Sequence, residues 1–107
     1  MRLNDHERRA IAEAAAEALP PGTRVRLFGS RLDDTRRGGD IDLLVETATG
    51  LDADEEVARR TRFIARLYRL LGERRIDVLM VPAHAPDTRP VVRAARRDGQ
   101  LLAEIPR

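Results

Sequence analysis

The hydrophobic positions of this chain fall into segments of helical spacing that alternate with short, continuous apolar runs. The first helical segment covers residues 5–19, where apolar side chains recur every four positions: Ile11, Ala15 and Leu19. Asn4 can cap this segment, with Glu7 three residues further on as in a capping box. A Pro-Pro-Gly run at residues 20–22 ends it. The spacing therefore predicts an amphipathic helix over residues 5–19.

A second and longer helix is predicted over residues 52–71. Asp52 can serve as its N-cap, with Glu55 at the third helical position and Gly72 as its terminator. Its apolar stripe is predicted to consist of Val57, Ile64, Leu67 and Leu71.

Three short apolar runs have the composition of strands: residues 24–28 (RVRLF), 40–46 (DIDLLVE) and 75–81 (RIDVLMV). A last helix is predicted over residues 88–97, with Thr88 as its cap and Gly99 as its terminator. The segment after it, residues 100–102, could add a short edge strand or pack as a tail. Strands that alternate with helices predict an α/β (α+β) fold, a small mixed sheet flanked by helices on one side.

Length and composition limit the class of protein. The 107 residues suffice for one compact domain, so a single domain over residues 1–107 is expected. Cysteine is absent, which excludes disulfides, thiolate metal sites and a cysteine nucleophile. Only two histidines are present, His6 and His84, so a zinc site is not expected.

Charge and aromatic content argue against a nucleic-acid partner, and the lack of a long apolar run argues against a membrane span. The chain carries 20 basic and 18 acidic side chains, a net charge of only +2. With three aromatic residues in all, it lacks a base-stacking platform, and direct nucleic-acid binding is not indicated. No apolar run approaches the roughly 18 residues of a membrane span, and the N-terminal segment is charged. A cytoplasmic protein is expected.

Two carboxylates stand two residues apart in the second predicted strand. Alternation along a strand places Asp40 and Asp42 on one face, with Cα atoms about 6.5–7 Å apart. The other face is left for the core: Ile41, Leu43 and Val45. Carboxylates that converge in this way can share a pair of hard cations, the usual device for phosphoryl and nucleotidyl transfer. Oxygen ligands favour Mg²⁺ or Mn²⁺ over softer metals.

A glycine and a serine end the preceding strand. Gly29 lets the backbone approach a phosphate closely, and the Ser30 hydroxyl and the N–H groups that follow it can hold phosphate oxygens. Arg31 adds a cation beside them. Phosphate donors and candidate metal ligands are therefore expected at the ends of neighbouring strands.

A third carboxylate, Asp77, interrupts the apolar run of the third predicted strand. An aspartate in a buried strand is costly unless it is paired or bound to a metal. Beside the strand that carries Asp40 and Asp42, it could complete a metal site and accept the proton of an attacking hydroxyl. The structural alternative is an exposed edge-strand residue, or the partner of Arg74 or Arg75.

Each of these features is weak on its own. Most D-x-D pairs are solvated strand faces or turn residues, and a G-S pair alone is an ordinary turn. Their combination is more specific. A strand is followed by G-S, nine residues, D-I-D at the start of an apolar strand, a helix, and a third strand with an inset aspartate.

The segment from Phe28 to Glu46 resembles the nucleotidyltransferase signature of the polymerase β-like superfamily: G-S, a spacer, then D-x-D. Within that superfamily the chain looks like the minimal nucleotidyltransferases of the antitoxin type, small bacterial and archaeal domains often paired with a HEPN partner. The nine-residue spacer is one shorter than the common one. The family's site residues fall on Gly29 and Ser30 for phosphate contact, Asp40 and Asp42 for metal binding, and Asp77 as the third carboxylate.

The resemblance implies Mg²⁺- or Mn²⁺-dependent transfer of AMP from ATP to a hydroxyl of a partner protein. That partner would be a HEPN-type ribonuclease toxin, with this chain as the antitoxin that modifies it. The catalytic core uses most of the 107 residues, so the acceptor surface is expected from a partner chain or a homo-oligomer. Two alternatives stay open: a non-catalytic antitoxin that neutralises its toxin by binding, and a stand-alone transferase acting on a small molecule.

Overall fold

The computed structural model describes residues 3–29, 40–72 and 74–107. In these residues the elements follow in the order α1 (Asp5–Ala18), β1 (Arg24–Phe28), β2 (Ile41–Thr47), α2 (Ala53–Leu71), β3 (Ile76–Pro82), α3 (Pro90–Asp98) and β4 (Gln100–Glu104). Every predicted helix and strand is present, with bounds that differ by at most two residues. Residues 100–102 belong to a strand and not to a packed tail.

The four strands form one mixed sheet in the order β3-β2-β1-β4. β2 and β3 run parallel, while β1 runs antiparallel to both β2 and β4. This confirms the predicted small mixed sheet. Because β2, β3 and β4 start at the end of the sheet where β1 finishes, four strand ends lie along one side of the sheet.

Helices α1 and α2 cover one face of the sheet. Ile41, Leu43 and Val45 point to this face and are completely buried, as predicted. Small side chains of α1 let the helix approach closely: Ala14, Ala15 and Ala18, all fully buried. None of the described helices is long and apolar enough to cross a membrane.

The buried stripe of α2 differs from the prediction. Phe63 and Leu67 are its fully buried residues, whereas Val57 is 51% exposed. At 100° per residue, Val57 lies about 120° around the helix from Phe63, so a helix that buries Phe63 turns Val57 outward. The predicted stripe was therefore wrong at Val57.

The third helix lies on the opposite face, so the expectation of helices on one side only was wrong. Val92 and Ala95 of α3 pack against Leu44 and Val81, the alternate positions of β2 and β3. The physical reason is the apolar run in the middle of β2, whose successive side chains Leu43, Leu44 and Val45 are all buried. A strand that is apolar on both faces needs cover on both.

The start of α3 also differs from the prediction. Its N-cap is Arg89, with no side-chain capping bond, so Thr88 is not the cap. Asp87 instead accepts the Arg89 backbone N–H at 3.0 Å and two guanidinium N–H groups at 3.0 and 2.8 Å. These hydrogen bonds from Arg89 stabilise the carboxylate and lower the pKa of Asp87 to about 2.

A buried ion-pair network fastens α3 to the sheet. Glu46 of β2 is 6% exposed. Its carboxylate oxygens accept hydrogen bonds from Arg26 Nε at 2.8 Å and from Arg96 Nε at 3.0 Å. Arg96 also donates to the backbone oxygens of Ala85 and Pro82. Glu46 therefore joins β1, β2 and α3, and Arg96 extends the network to the end of β3 and the turn after it.

Replacing Glu46 by Gln is expected to destabilise the fold. Removal of one member of a buried network leaves its partners without full compensation. The side chains of Arg26 and Arg96 are 21% and 25% exposed, and solvent therefore screens part of the interaction. We expect the free energy of unfolding to fall by about 2 kcal/mol. Urea unfolding measures it. Glu104→Gln is the control, because the Arg24–Glu104 pair is 3.6 Å apart and about half exposed, and should lose under about 0.5 kcal/mol. Equal losses would show that the network adds nothing beyond a surface pair.

Candidate active site

Four residues of the predicted site are described by the structure, and they lie where β2 and β3 begin and β1 ends: Gly29, Asp40, Asp42 and Asp77. In the sheet register, Asp42 of β2 lies beside Asp77 of β3 and opposite Phe28 of β1. Neighbouring strands are about 4.8 Å apart, so the backbone brings the two aspartates side by side. Gly29 follows Phe28 directly and lies at the same side of the sheet.

The alternation of side chains along β2 and β3 places the charged residues of the site on one face of the sheet. Asp40 directly precedes β2 and Arg75 directly precedes β3, and the Ile41 N–H donates to the Arg75 carbonyl at 2.9 Å. Asp42 and Asp77 share the face of Leu44, which is the side covered further along by α3. Asp40 and Asp77 are exposed and Asp42 is half-buried.

Gly29 is required at its position for two physical reasons. Its φ is +77°, a conformation that side-chain-bearing residues rarely adopt. A Cβ built there would lie 2.5 Å from Asp42 Oδ2 and 3.1 Å from Asp42 Cγ. The glycine therefore leaves room for the Asp42 carboxylate. The close approach of a phosphate to Gly29 stays a prediction. Ser30 and Arg31, the other predicted phosphate contacts, lie outside the described residues.

Asp77 pairs with a neighbouring arginine, one of the alternatives that the sequence left open. Arg75 Nε lies 3.5 Å from Asp77 Oδ2, with the two side chains 73% and 56% exposed. Arg74 instead binds Glu7 in the first turn of α1, with Nη1 and Oε2 2.6 Å apart. Asp77 is also exposed at the edge of the sheet, as the structural alternative allowed, because β3 is an edge strand of the described sheet and the Asp77 side chain reaches solvent.

Arg75 lies in the candidate site but was predicted from the sequence only as a possible ion-pair partner of Asp77. The register places it beside Asp40 and on the face of the aspartates. A guanidinium there offsets part of the charge of three carboxylates. The signal was available in the pattern Arg-x-Asp at the start of β3, which has the same two-residue period as Asp-x-Asp at the start of β2.

The donor chemistry suits a hard divalent cation held partly by substrate. In the described part of the chain, no group of three or more His, Cys, Asp or Glu side chains is arranged to hold a metal ion. Mg²⁺ is commonly bound by one or two carboxylates, with phosphate oxygens and waters as the other ligands. The carboxylates of Asp40 and Asp42 fit that pattern, and Asp77 lies one strand away.

A cleft of about 640 Å³ lies at the opposite end of the sheet. It is lined by the start of β1 and the segments after β2 and β3, including Arg24, His84 and Arg107. His84 is exposed there, apart from the aspartates. The candidate site is therefore identified by the chemistry of its side chains and not by the depth of a pocket.

The competition for space between Gly29 and Asp42 can be measured in a double-mutant cycle. Gly29→Ala is expected to lose about 1–2 kcal/mol of stability from the left-handed backbone alone. In the wild-type background, the clash of the new Cβ with the Asp42 carboxylate should increase this loss of stability by about 1 kcal/mol. In an Asp42→Ala background the carboxylate is absent and this additional loss should disappear. Urea unfolding of the four proteins gives this coupling.

Gly72→Ala provides the matched control for the cycle. Gly72 has φ +80°, and a Cβ there would meet nothing within 4 Å. The stability lost in Gly72→Ala should therefore add to the stability lost in Asp42→Ala, with no coupling between the two substitutions. If Gly29→Ala and Asp42→Ala were also additive, the two residues would not be competing for space.

Comparison with known proteins places this geometry in a family. Among curated proteins, none matches the chain. The family model for the nucleotidyltransferase domain matches residues 8–101, which run from within α1 to the start of β4 and include every described aspartate of the candidate site. With the greater part of its length matched, the chain belongs to the nucleotidyltransferase domain family.

Proposed function

We propose that this protein transfers AMP from ATP to a hydroxyl group of a partner protein, with Mg²⁺ or Mn²⁺ as the cofactor and residues 1–107 as one transferase domain. Nucleotidyl transfer itself follows from the family. The observation that carries the proposal is the register of β2 with β3, which sets Asp42 beside Asp77 and next to Gly29.

Each site residue has a role in this reaction. Asp40 and Asp42 would hold the cation, which neutralises the triphosphate and aligns the attacking and leaving oxygens when it is bound. Gly29 and Ser30, with Arg31, would hold the triphosphate. Donors at a strand end next to the carboxylates suit that task, because they keep the α-phosphate near the ligands of the cation.

The transfer step needs a proton acceptor. The oxygen of the acceptor hydroxyl forms a bond to the α-phosphorus of ATP. The bond between the α-phosphorus and the oxygen that bridges it to the β-phosphorus breaks, and pyrophosphate leaves with that oxygen. Asp77 would complete the site and take the proton of the hydroxyl. Its 56% exposure supports this role, because an incoming hydroxyl can reach it from solvent.

The identity of the partner rests on the resemblance of residues 28–46 to the antitoxin-type minimal nucleotidyltransferases. By that resemblance the acceptor is a HEPN-type ribonuclease toxin, and adenylylation neutralises it. A chain that neutralised its toxin by binding alone would not need three aspartates at the start of two adjacent strands. A stand-alone transferase for small molecules is the other alternative, and the experiment below separates the three.

The decisive experiment uses ATP labelled in two places. The purified protein is incubated with Mg²⁺, a co-encoded HEPN protein and ATP labelled at either the α- or the γ-phosphate. Transfer of the α-label to the HEPN protein is expected, and no transfer of the γ-label. Binding to the HEPN protein without label transfer would support the non-catalytic reading. Label on a small acceptor, with none on the protein, would support the small-molecule reading.

Removing the cation ligands should abolish transfer in a folded protein. Asp42→Asn, and the double change Asp40→Asn with Asp42→Asn, are expected to lower the rate by at least about 100-fold, roughly 3 kcal/mol of barrier. Asp98→Asn is the matched control, because Asp98 is an exposed aspartate that pairs with the neighbouring Arg97. Full activity of the folded double variant would contradict the assignment of both aspartates.

Metal binding should stabilise the protein through Asp77. Without metal, Asp77→Asn is expected to change the melting temperature little, because the exposed pair with Arg75 contributes about 0–1 kcal/mol. Mn²⁺ should raise the melting temperature of wild type more than that of Asp77→Asn. Thermal unfolding with chelator and with excess Mn²⁺ measures both.

The control for this comparison is again Asp98→Asn, which removes a similar exposed Arg–Asp pair elsewhere. It should respond to Mn²⁺ as wild type does. An equal Mn²⁺ shift in wild type, Asp77→Asn and Asp98→Asn would mean that the ion acts without Asp77.

A further inference from the structure

The outer edge of β3 presents backbone groups that pair with no other described strand. Among the described strands, β3 pairs with β2 alone. The Ile41 N–H donates to the Arg75 carbonyl at 2.9 Å just before β3, and the Ala83 N–H donates to the Thr47 carbonyl at 2.8 Å just after it. Because backbone groups alternate in direction along a strand, the odd-numbered residues of β3 bond to β2. The N–H and C=O groups of the alternate residues point to the free edge: Ile76, Val78 and Met80.

Exposure along β3 agrees with an open edge. Ile41 and Leu43 of the neighbouring strand β2 are completely buried. Ile76 and Met80 belong to the same core, but they keep 7% and 8% exposure, and Val78 is half-buried. A backbone edge that reaches solvent accounts for this difference, since β2 has a strand on each side and β3 does not.

The two edges of the described sheet differ in their protection. Natural edge strands are commonly blunted by bulges, prolines or several charges. β4, the other edge, has a bulge, because its register with β1 shifts between Val25 and Arg26 and leaves Leu102 without an opposite residue. Residues 76–81 of β3 have a continuous register and no proline, and Asp77 is their one charged residue. The unprotected edge therefore begins at the candidate active site.

We propose that this edge binds an extended, hydroxyl-bearing segment of the acceptor protein as an additional antiparallel strand, with the hydroxyl residue directly opposite Asp77. The inference rests on the proposed function, because it states how the acceptor is presented to the site. Ile76 and Val78 would exchange hydrogen bonds with the segment, which leaves Asp77 at a non-hydrogen-bonded position between them. Opposite residues at such a position have Cα atoms about 4.5 Å apart and side chains on the same face. The hydroxyl then lies beside the carboxylate that takes its proton.

Charge and polarity along the edge specify the other residues of the segment. Arg75 lies two positions before Asp77 on the same face and is 73% exposed, so an acidic residue two positions after the hydroxyl residue would face a guanidinium. On the other face, Ile76 and Val78 pack into the apolar core, so apolar residues are expected on both sides of the hydroxyl residue. A second copy of the chain is not the occupant, because β3 has no serine, threonine or tyrosine to place opposite Asp77.

Hydrogen exchange of the full chain tests the edge and its occupant. The probe is the peptide acetyl-Lys-Leu-Val-Ser-Val-Glu-Lys-amide, which has the expected pattern. In the free protein, the amide protons of Asp77 and Leu79 should exchange slowly, because they bond to β2, and those of Val78 and Met80 should exchange quickly. Saturating peptide should slow exchange at Val78 and Met80 by at least about tenfold.

N-methylation of the peptide separates backbone pairing from side-chain contact. In the proposed register the N–H groups of both valines point to β3, so methylating both should weaken binding by at least about tenfold. The serine N–H points away from β3, and methylating it alone is the matched control, which should change the affinity by less than about twofold. Equal effects of the two modifications would overturn the proposal.

A proline in β3 tests the same register from the side of the protein. Val78→Pro removes an outward N–H and keeps every bond between β3 and β2, so it should weaken peptide binding by at least about tenfold. Glu104→Pro is the matched control at the other edge. The Ile105 N–H donates to the Thr23 carbonyl, so the Glu104 N–H points away from β1. Circular dichroism checks that both variants fold, and the N-methylated peptides test the register in the unchanged protein.

Transfer of the α-label from ATP to the peptide serine, measured in the same samples, separates this proposal from the proposed function. Protection of the edge without labelling would support the docking and contradict the transfer. Labelling without protection would support the transfer and overturn the docking. A peptide that does not bind, or one whose binding a folded Val78→Pro variant does not weaken, would also overturn the docking.

Discussion

The parallel pairing of β2 with β3 is the constraint on which the rest of the molecule depends. Hydrogen bonds fix the register to the residue, and a shift by one position would turn every side chain of β3 to the opposite face. The register that buries Ile41 beside Ile76 also sets Asp42 beside Asp77. The packing of the core and the assembly of the candidate site are therefore consequences of one backbone alignment.

The middle of β2 explains why this small protein needs three layers. Leu43, Leu44 and Val45 are buried in succession, so both faces of the strand must be covered. α3 supplies the second cover and is fastened there through Arg96, whose guanidinium bonds to the buried Glu46. Apolar burial ends towards the start of the strand, where Asp40 is exposed and Asp42 is half-buried. The aspartates thus remain reachable from solvent while the backbone that carries them is held by a packed core.

Arg75 offsets part of the negative charge of the candidate site. Three carboxylates on one face repel each other, and Arg75 stands among them at the start of β3. Because both side chains of the Arg75–Asp77 pair are mostly exposed, the pair contributes little to stability and can rearrange at little cost. A site of this kind is compatible with exchange of ligands, whereas the largely buried ion pairs of Glu46 are suited to holding elements together.

Local patterns in the sequence determined the elements. The capping box of Asn4 and Glu7 forms as predicted, with hydrogen bonds of 2.8 and 2.9 Å, because capping depends only on residues three apart. Period-two alternation likewise placed Ile41, Leu43 and Val45 in the core. The predicted grouping of the three aspartates at one end of the sheet depended on the motif and its spacing, since residue patterns alone do not specify which strands pair.

Only the tertiary structure decided the remaining features, because each depends on what lies across a strand or helix from a given residue. Strand order made β3 an edge, so Asp77 meets solvent and Arg75 and not a buried environment. The rotation of α2 about its axis buries Phe63 and exposes Val57. Both residues are apolar, so periodicity alone does not decide which of them is buried. The position of α3 on the second face required the burial of Leu44, and the lack of room for a Cβ at Gly29 is explained by the Asp42 carboxylate beside it. Sequence determines which residues are apolar, charged or able to turn, whereas long-range packing determines which of them meet.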